Sequence, residues 1–125
     1  MANQVMPLLA DPSSEVRLAA CYALGRLGNG CGLAALKHRL TDASGRVRVG
    51  AAEAIARLGD PSGLQYLRDW QNETGLPVEL RIDIASALHR LSEPLGTEAL
   101  QRLRDDTDLP SNMRGRAALM LGDEA

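Results

Sequence analysis

Val16, Ala20, Leu24 and Leu27 stand at i, i+4, i+8 and i+11, which lays one apolar stripe along an amphipathic helix. Val47, Ala51, Ile55 and Leu58 draw the same stripe, and Leu80, Ile84, Leu88 and Leu91 draw it a third time. Each predicted helix opens on a residue suited to a cap or a first turn: Ser13, Ser44, Pro77 and Pro110. Gly28 and Gly59 close the first two, because glycine enters the left-handed conformation without a Cβ penalty, and Ser92 takes that place in the third. A shorter helix follows each one. Asp60-Pro61 and Glu93-Pro94 start two of these second helices, as a cap residue followed by proline should, and the first of them runs from about Ser62 to Gln71. No stretch alternates apolar and polar residues over a useful length, so no strand is predicted.

The pattern is a repeat. Asp11–Gly30, DPSSEVRLAACYALGRLGNG, returns at Asp42–Pro61 as DASGRVRVGAAEAIARLGDP, with weaker copies at Pro77–Pro94 and Asp108–Ala125. Arg17, Arg48, Arg81 and Arg114 mark the register, at spacings of 31, 33 and 33 residues. Small or apolar residues follow each arginine in fixed places: Ala20-Cys21, Ala51-Ala52, Ile84-Ala85 and Ala117-Ala118. Between the long helices, Gly32…Leu36, Gly63…Leu67 and Gly96…Leu100 repeat a second pattern. Two-helix units of this length cannot bury their apolar faces alone and must stack. The expected fold is all-α, a right-handed α-solenoid of seven to eight helices. It is read as a single domain over residues 1–125, with a partial unit at 1–10 that includes a helix at Asn3–Ala10. Repeats at about 11–41, 42–74 and 75–107 follow, and then a terminal half-repeat at 108–125 with a helix at Ser111–Gly122.

Composition agrees with a compact chain: 125 residues, 45% apolar and 24% charged. Aromatics are scarce, with one Trp, two Tyr and no Phe, as closely spaced alanine-rich layers require. No apolar run approaches the ~20 residues of a membrane span, and the start of the chain lacks the basic segment of a secretion signal. Two cysteines with nine residues between them form neither a disulfide framework nor a zinc knuckle, and a cytoplasmic location is expected. A net charge of −2 gives no global pull toward nucleic acid or acidic lipid.

The loop aspartate, the arginine six residues on with an apolar residue before it, and the following Ala-Ala and Leu-Gly resemble the HEAT-repeat family. The short, glycine-ended form is similar to the phycobilisome-lyase type of HEAT-like repeat. That resemblance implies a hydrogen-bonded ladder between adjacent repeats, with Asp11/Arg17, Asp42/Arg48 and Asp108/Arg114 as its matching pairs. Arg81 continues the arginine series, but Gly75 stands where its aspartate should be. Arg48→Ala is therefore expected to leave Asp42 unpaired and to destabilise more than Arg68→Ala. The resemblance also implies that second helices line a concave, partner-binding face.

Lys37, Arg68 and Gln101 hold equivalent slots on those second helices and differ from one another, as a tuned binding surface or a merely solvated face would. Tyr66 and Trp70 lie one turn apart, and Arg104 follows Gln101 on the last second helix. Trp70 aligns with Leu103, so it is either a core residue or a binding anchor. Arg26, Arg57 and Arg90 recur near the ends of the first helices, as partners of the helix dipole or as a strip of positive charge. Cys21 shares a slot with alanines and reads as packing, while Cys31 sits in a turn with nothing beside it to lower its pKa. His38 and His89 lie 51 residues apart and outside any metal-binding spacing, so no metal site and no cofactor are expected. No nucleophile elbow, P-loop or dinucleotide-binding loop is present, and no catalytic residue is assigned.

These readings converge on a non-catalytic protein-interaction or scaffold module with candidate contact residues Lys37, Tyr66, Arg68, Trp70, Gln101 and Arg104. The alternatives are a bilin-lyase-like subunit acting on a phycobiliprotein, implied only by the resemblance, and a weak nucleic-acid binder, which the charge and the scarce aromatics disfavour. The last helix carries Met113, Ala117, Ala118, Leu119, Met120 and Leu121, apolar over more than one stripe, with Glu124 making the tip polar. A weak homodimer through this helix is expected.

Overall fold

The computed structural model describes residues 2–28 and 30–122, without the side chains of Ala2 and Cys31. Expectations for Glu124 and for the side chain of Cys31 lie outside the described residues. Among these residues there are eight α-helices and no strand: α1 Ala2–Val5, α2 Ser14–Leu27, α3 Leu33–His38, α4 Gly45–Arg57, α5 Pro61–Gln71, α6 Val78–Arg90, α7 Pro94–Asp105 and α8 Ser111–Leu121. The fold is all-α, of the stacked helical-repeat class.

Local chemistry sets the boundaries. Ser13 and Ser44 cap α2 and α4, each side chain accepting from the backbone N–H three residues on, at 3.4 Å. Two residues earlier, Asp11 and Asp42 accept from the N–H of the capping serine at 2.9 Å, which fixes the approach to each helix. Pro77 and Pro110 take the capping place before α6 and α8 with extended backbone and no side-chain cap. The left-handed residues after the first helices are Gly28, Gly59, Gly122 and, without glycine's freedom, Ser92 at φ 64°.

Second helices are best formed where an acidic residue and proline precede them, at α5 and α7. The first repeat has neither. Its segment starts Gly30-Cys31-Gly32 as a 3₁₀ turn, tightens to six residues of α-helix and relaxes into another 3₁₀ turn at Arg39–Thr41. The helix expected at Asn3–Ala10 divides likewise, into α1 and a 3₁₀ turn at Met6–Ala10 that contains Pro7. A missing cap thus shortens the α-helical part without changing the element's place.

The described residues fall into two compact units, divided between Leu67 and Arg68 inside α5. In the first, α2 packs along α4, and α3 packs on α4. Its core joins Leu9, Ala20, Cys21, Leu24, Leu36, Val47, Ala51, Ala54 and Ile55. The small residues allow close contact, since a Cβ on Gly25 would lie 3.1 Å from Ala54. In the second unit α6, α7 and α8 pack mutually around Ile82, Ala85, Leu100, Leu103 and Ala117.

Glycine at the start of each second helix sets how near it comes to the first. A Cβ on Gly63 would run into the Ala52 carbonyl and lie 2.5 Å from the Ala56 nitrogen. One on Gly96 would lie 2.5 Å from Leu88 Cβ and 2.6 Å from the His89 nitrogen. The leucine one turn later then drops into the core, and Leu36, Leu67 and Leu100 are all fully buried.

Candidate functional site: a second-helix surface and an arginine cleft

The aspartate–arginine ladder makes one full rung. Arg17 on α2 forks onto Asp42, Nε donating to Oδ2 at 2.9 Å and Nη2 to Oδ1 at 3.0 Å. Its Nη1 turns back to the carbonyls of Asp11 and Pro12, at 2.8 and 3.1 Å. Arg39 adds a contact to Asp42 at 3.4 Å. Burial alone would raise the Asp42 pKa, but the Arg17 fork, the Ser44 N–H and Arg39 outweigh it and hold the carboxyl below its ordinary value.

The expectation that Arg48 holds the Asp42 carboxylate is therefore corrected. Arg17 looks forward to the aspartate of the following repeat, whereas Arg48 reaches only the Asp42 carbonyl, at 2.6 Å. Further along the chain the ladder lapses. Arg114 donates to the Arg104 carbonyl at 3.1 Å, Asp108 is exposed, and Arg81 is exposed and has no ion pair among the described residues.

A different ladder runs through the second helices. Lys37 Nζ lies 3.1 Å from Asp60 Oδ2, and Arg68 forks onto Glu93 at 3.0 and 3.3 Å. Both cations sit in equivalent repeat slots, and both acids directly precede the proline that opens the next second helix. The Ser62 backbone N–H and Lys37 together push the Asp60 carboxyl down to about 2. Two candidate contact residues thus also tie successive repeats, and the signal for it was the acid-proline pair itself.

The remaining candidates differ in setting. Tyr66 is 41% exposed. Gln101 is exposed beside His89 and Thr97, whose Nδ1 and Oγ1 are 2.7 Å apart. Arg104 forks onto the adjacent Asp105 at 2.9 and 3.2 Å, lowering that carboxyl's pKa. In the end-of-helix row Arg57 pairs at 3.2 Å with Glu53, a carboxylate only 1% exposed, while Arg26 and Arg90 are exposed. Cys21 is fully buried, and burial pushes its thiol up to about 12, so it is a neutral packing group.

Trp70 falls between its two readings. It is half-buried in the wall of a cleft of about 230 Å³ within the second unit. Leu76, Ile84, Leu95 and Leu103 supply aliphatic surface, while Gln71, Asn72, Arg81 and Arg102 supply polar groups. Gln71 is held in place by donating to the Leu95 carbonyl at 3.1 Å. The repeat register assigns Arg81 to the ladder and does not single out Arg102; no short motif joins these residues, which come from α5, the following loop, α6 and α7.

Among the described residues no group of three or more His, Cys, Asp or Glu side chains comes together as a metal site. No described helix is long and apolar enough to cross a membrane. A family model of HEAT repeats matches residues 2–80. No curated protein matches the chain.

Proposed function

The chain belongs to the HEAT-repeat family, and we propose that it is a non-catalytic protein-interaction module whose contact surface is carried by its second helices. HEAT repeats commonly mediate protein–protein interaction. One observation carries the choice of surface. Leu36, Leu67 and Leu100 repeat without change and are fully buried, whereas the next residue in each copy, Lys37, Arg68 or Gln101, is solvent-facing and different every time. Invariance inside and variety outside suits a repeated scaffold that presents a partner-specific face.

Affinity capture from the native host, read by mass spectrometry, tests this with two sets of variants. Tyr66→Ala, Trp70→Ala and Gln101→Ala should each reduce the captured partner. Arg26→Ala and Arg90→Ala should not. The reverse pattern moves the surface to the ends of the first helices. Arg68 is a poor probe, because its loss also frees Glu93.

A second contact is favoured by α8, where Leu119 is 67% exposed and Met120 is 39% exposed. Both expose apolar surface near the end of α8, where a weak pairing with a second copy of the chain would cover it. Light scattering over a dilution series should show a mass that rises with concentration and a Met120→Glu variant that stays near 13.4 kDa. A wild-type mass fixed at that value rejects the pairing.

A further inference from the structure

We propose that the cleft between Trp70, Arg81 and Arg102 binds a linear acidic peptide segment of a partner protein, with an aliphatic side chain of that segment seated among Leu76, Ile84, Leu95 and Leu103. This deepens the interaction reading above and rests on it.

The first argument is charge. The chain holds 16 acidic and 14 basic residues, so it has acid to spare. Arg17, Arg39, Arg57, Arg68, Arg104 and Arg116 all have carboxylate partners at 3.5 Å or less. The two arginines of the cleft do not. Arg81 has no ion pair among the described residues, and Arg102 has only a 4.0 Å contact with Glu98, with side chains 80% and 54% exposed. A contact that long and that wet contributes almost nothing. Two arginines without a close carboxylate therefore line one partly aliphatic hollow, and guanidinium is the group best matched to a carboxylate fork.

The second argument is the floor. Leu95 is 55% exposed, and Leu76 and Trp70 are half-buried, so an apolar side chain entering here removes surface already facing water. The third is size. A cleft of about 230 Å³ is smaller than the ~300–1,000 Å³ of pockets that enclose drug-sized ligands. It suits one side chain of a peptide, with neighbouring carboxylates reaching the arginines at its edge. A single tryptophan beside two arginines is a poor platform for successive bases, which favours peptide over nucleic acid.

Trp70 is the only tryptophan in the chain, so its fluorescence reports the cleft directly. The probes are a ten-residue Glu/Asp-rich peptide with one central leucine, the same peptide with Lys for each acid, the acidic peptide with Ser for Leu, and a short DNA duplex. The acidic leucine peptide should give a saturable change in Trp70 emission that weakens as salt rises. The Ser and Lys peptides should bind about tenfold more weakly or not at all. Arg81→Glu and Arg102→Glu should each cost about tenfold or more in affinity while the helical dichroism and melting curve persist. Leu95→Glu should do the same by repulsion, and Arg26→Glu in the other unit should have no effect. Equal binding of the Lys peptide or the duplex, no change with the acidic peptide, or full affinity in Arg81→Glu overturns the proposal. If the peptide fails while a captured partner still depends on Tyr66 and Gln101, the interaction reading stands and the cleft assignment falls. If the peptide binds while no partner depends on the second helices, the cleft stands without it.

Discussion

At the scale of single residues, the Arg17–Asp42 pair shows what a periodic sequence tells and what it withholds. Aspartate and arginine recur together, so their pairing was legible. Which arginine meets which aspartate was not, because an arginine six residues after one aspartate is also 25 residues before the next. Only the stacking of α2 beside α4 selects the longer link. Arg17→Ala should therefore lower the melting temperature more than Arg48→Ala, since it strips the fork from a carboxylate that is 3% exposed. Equal melting temperatures for the two variants contradict the assignment. Acid should act through the same groups. Asp42, Asp60 and Asp105 all have folded pKa values below the ordinary one, so their contribution is complete above about pH 4 and is lost as pH falls through the folded values, about 2 for Asp60. Denaturant titrations from pH 6 down to pH 2 should show stability falling over that window, with a shallower fall in Asp60→Asn. An unchanged slope in that variant removes Asp60 from the account.

At the scale of elements, helix starts and stops were read from capping chemistry, and the structure follows it closely at Ser13, Ser44, Gly28, Gly59 and even Ser92. Ser92 keeps the left-handed turn at a steric cost, so Ser92→Gly should stabilise by about 0.5–1 kcal/mol in chemical denaturation. A loss of stability shows that the serine makes up for the strain in another way. The shortness of α3 was less legible, because propensity within Leu33–His38 favours helix and only the absent acid-proline start argues otherwise. Glycine offers a paired test. Gly63→Ala and Gly96→Ala place a Cβ against backbone of the preceding helix and should cost about 1–3 kcal/mol or more. Gly115→Ala, on α8 with open space at that position, should instead gain about 0.5–1 kcal/mol from helix propensity. If all three behave alike, close helix approach is not what those glycines provide.

At the scale of the whole molecule, the helical-repeat class was legible, since the period, the buried leucines and the turn residues are all local signals that recur. The cleft was not, because its lining comes from four consecutive segments of the second unit and follows no periodic rule. Arg81 was hidden by its regular place in the arginine series, and only the missing aspartate at Gly75 hinted that the ladder does not run on there. The departures from repeat symmetry are thus the places where this chain differs from its own scaffold, and the proposed binding chemistry is concentrated there. Hydrogen exchange on the complex with a captured partner tests that claim most directly. The account predicts slowed exchange in α5, in α7 and in the segment from Trp70 to Leu76 that borders the cleft, with α2 and α4 unchanged. Slowing confined to the C-terminal turns of α2, α4 and α6, with Trp70–Leu76 unaffected, contradicts it.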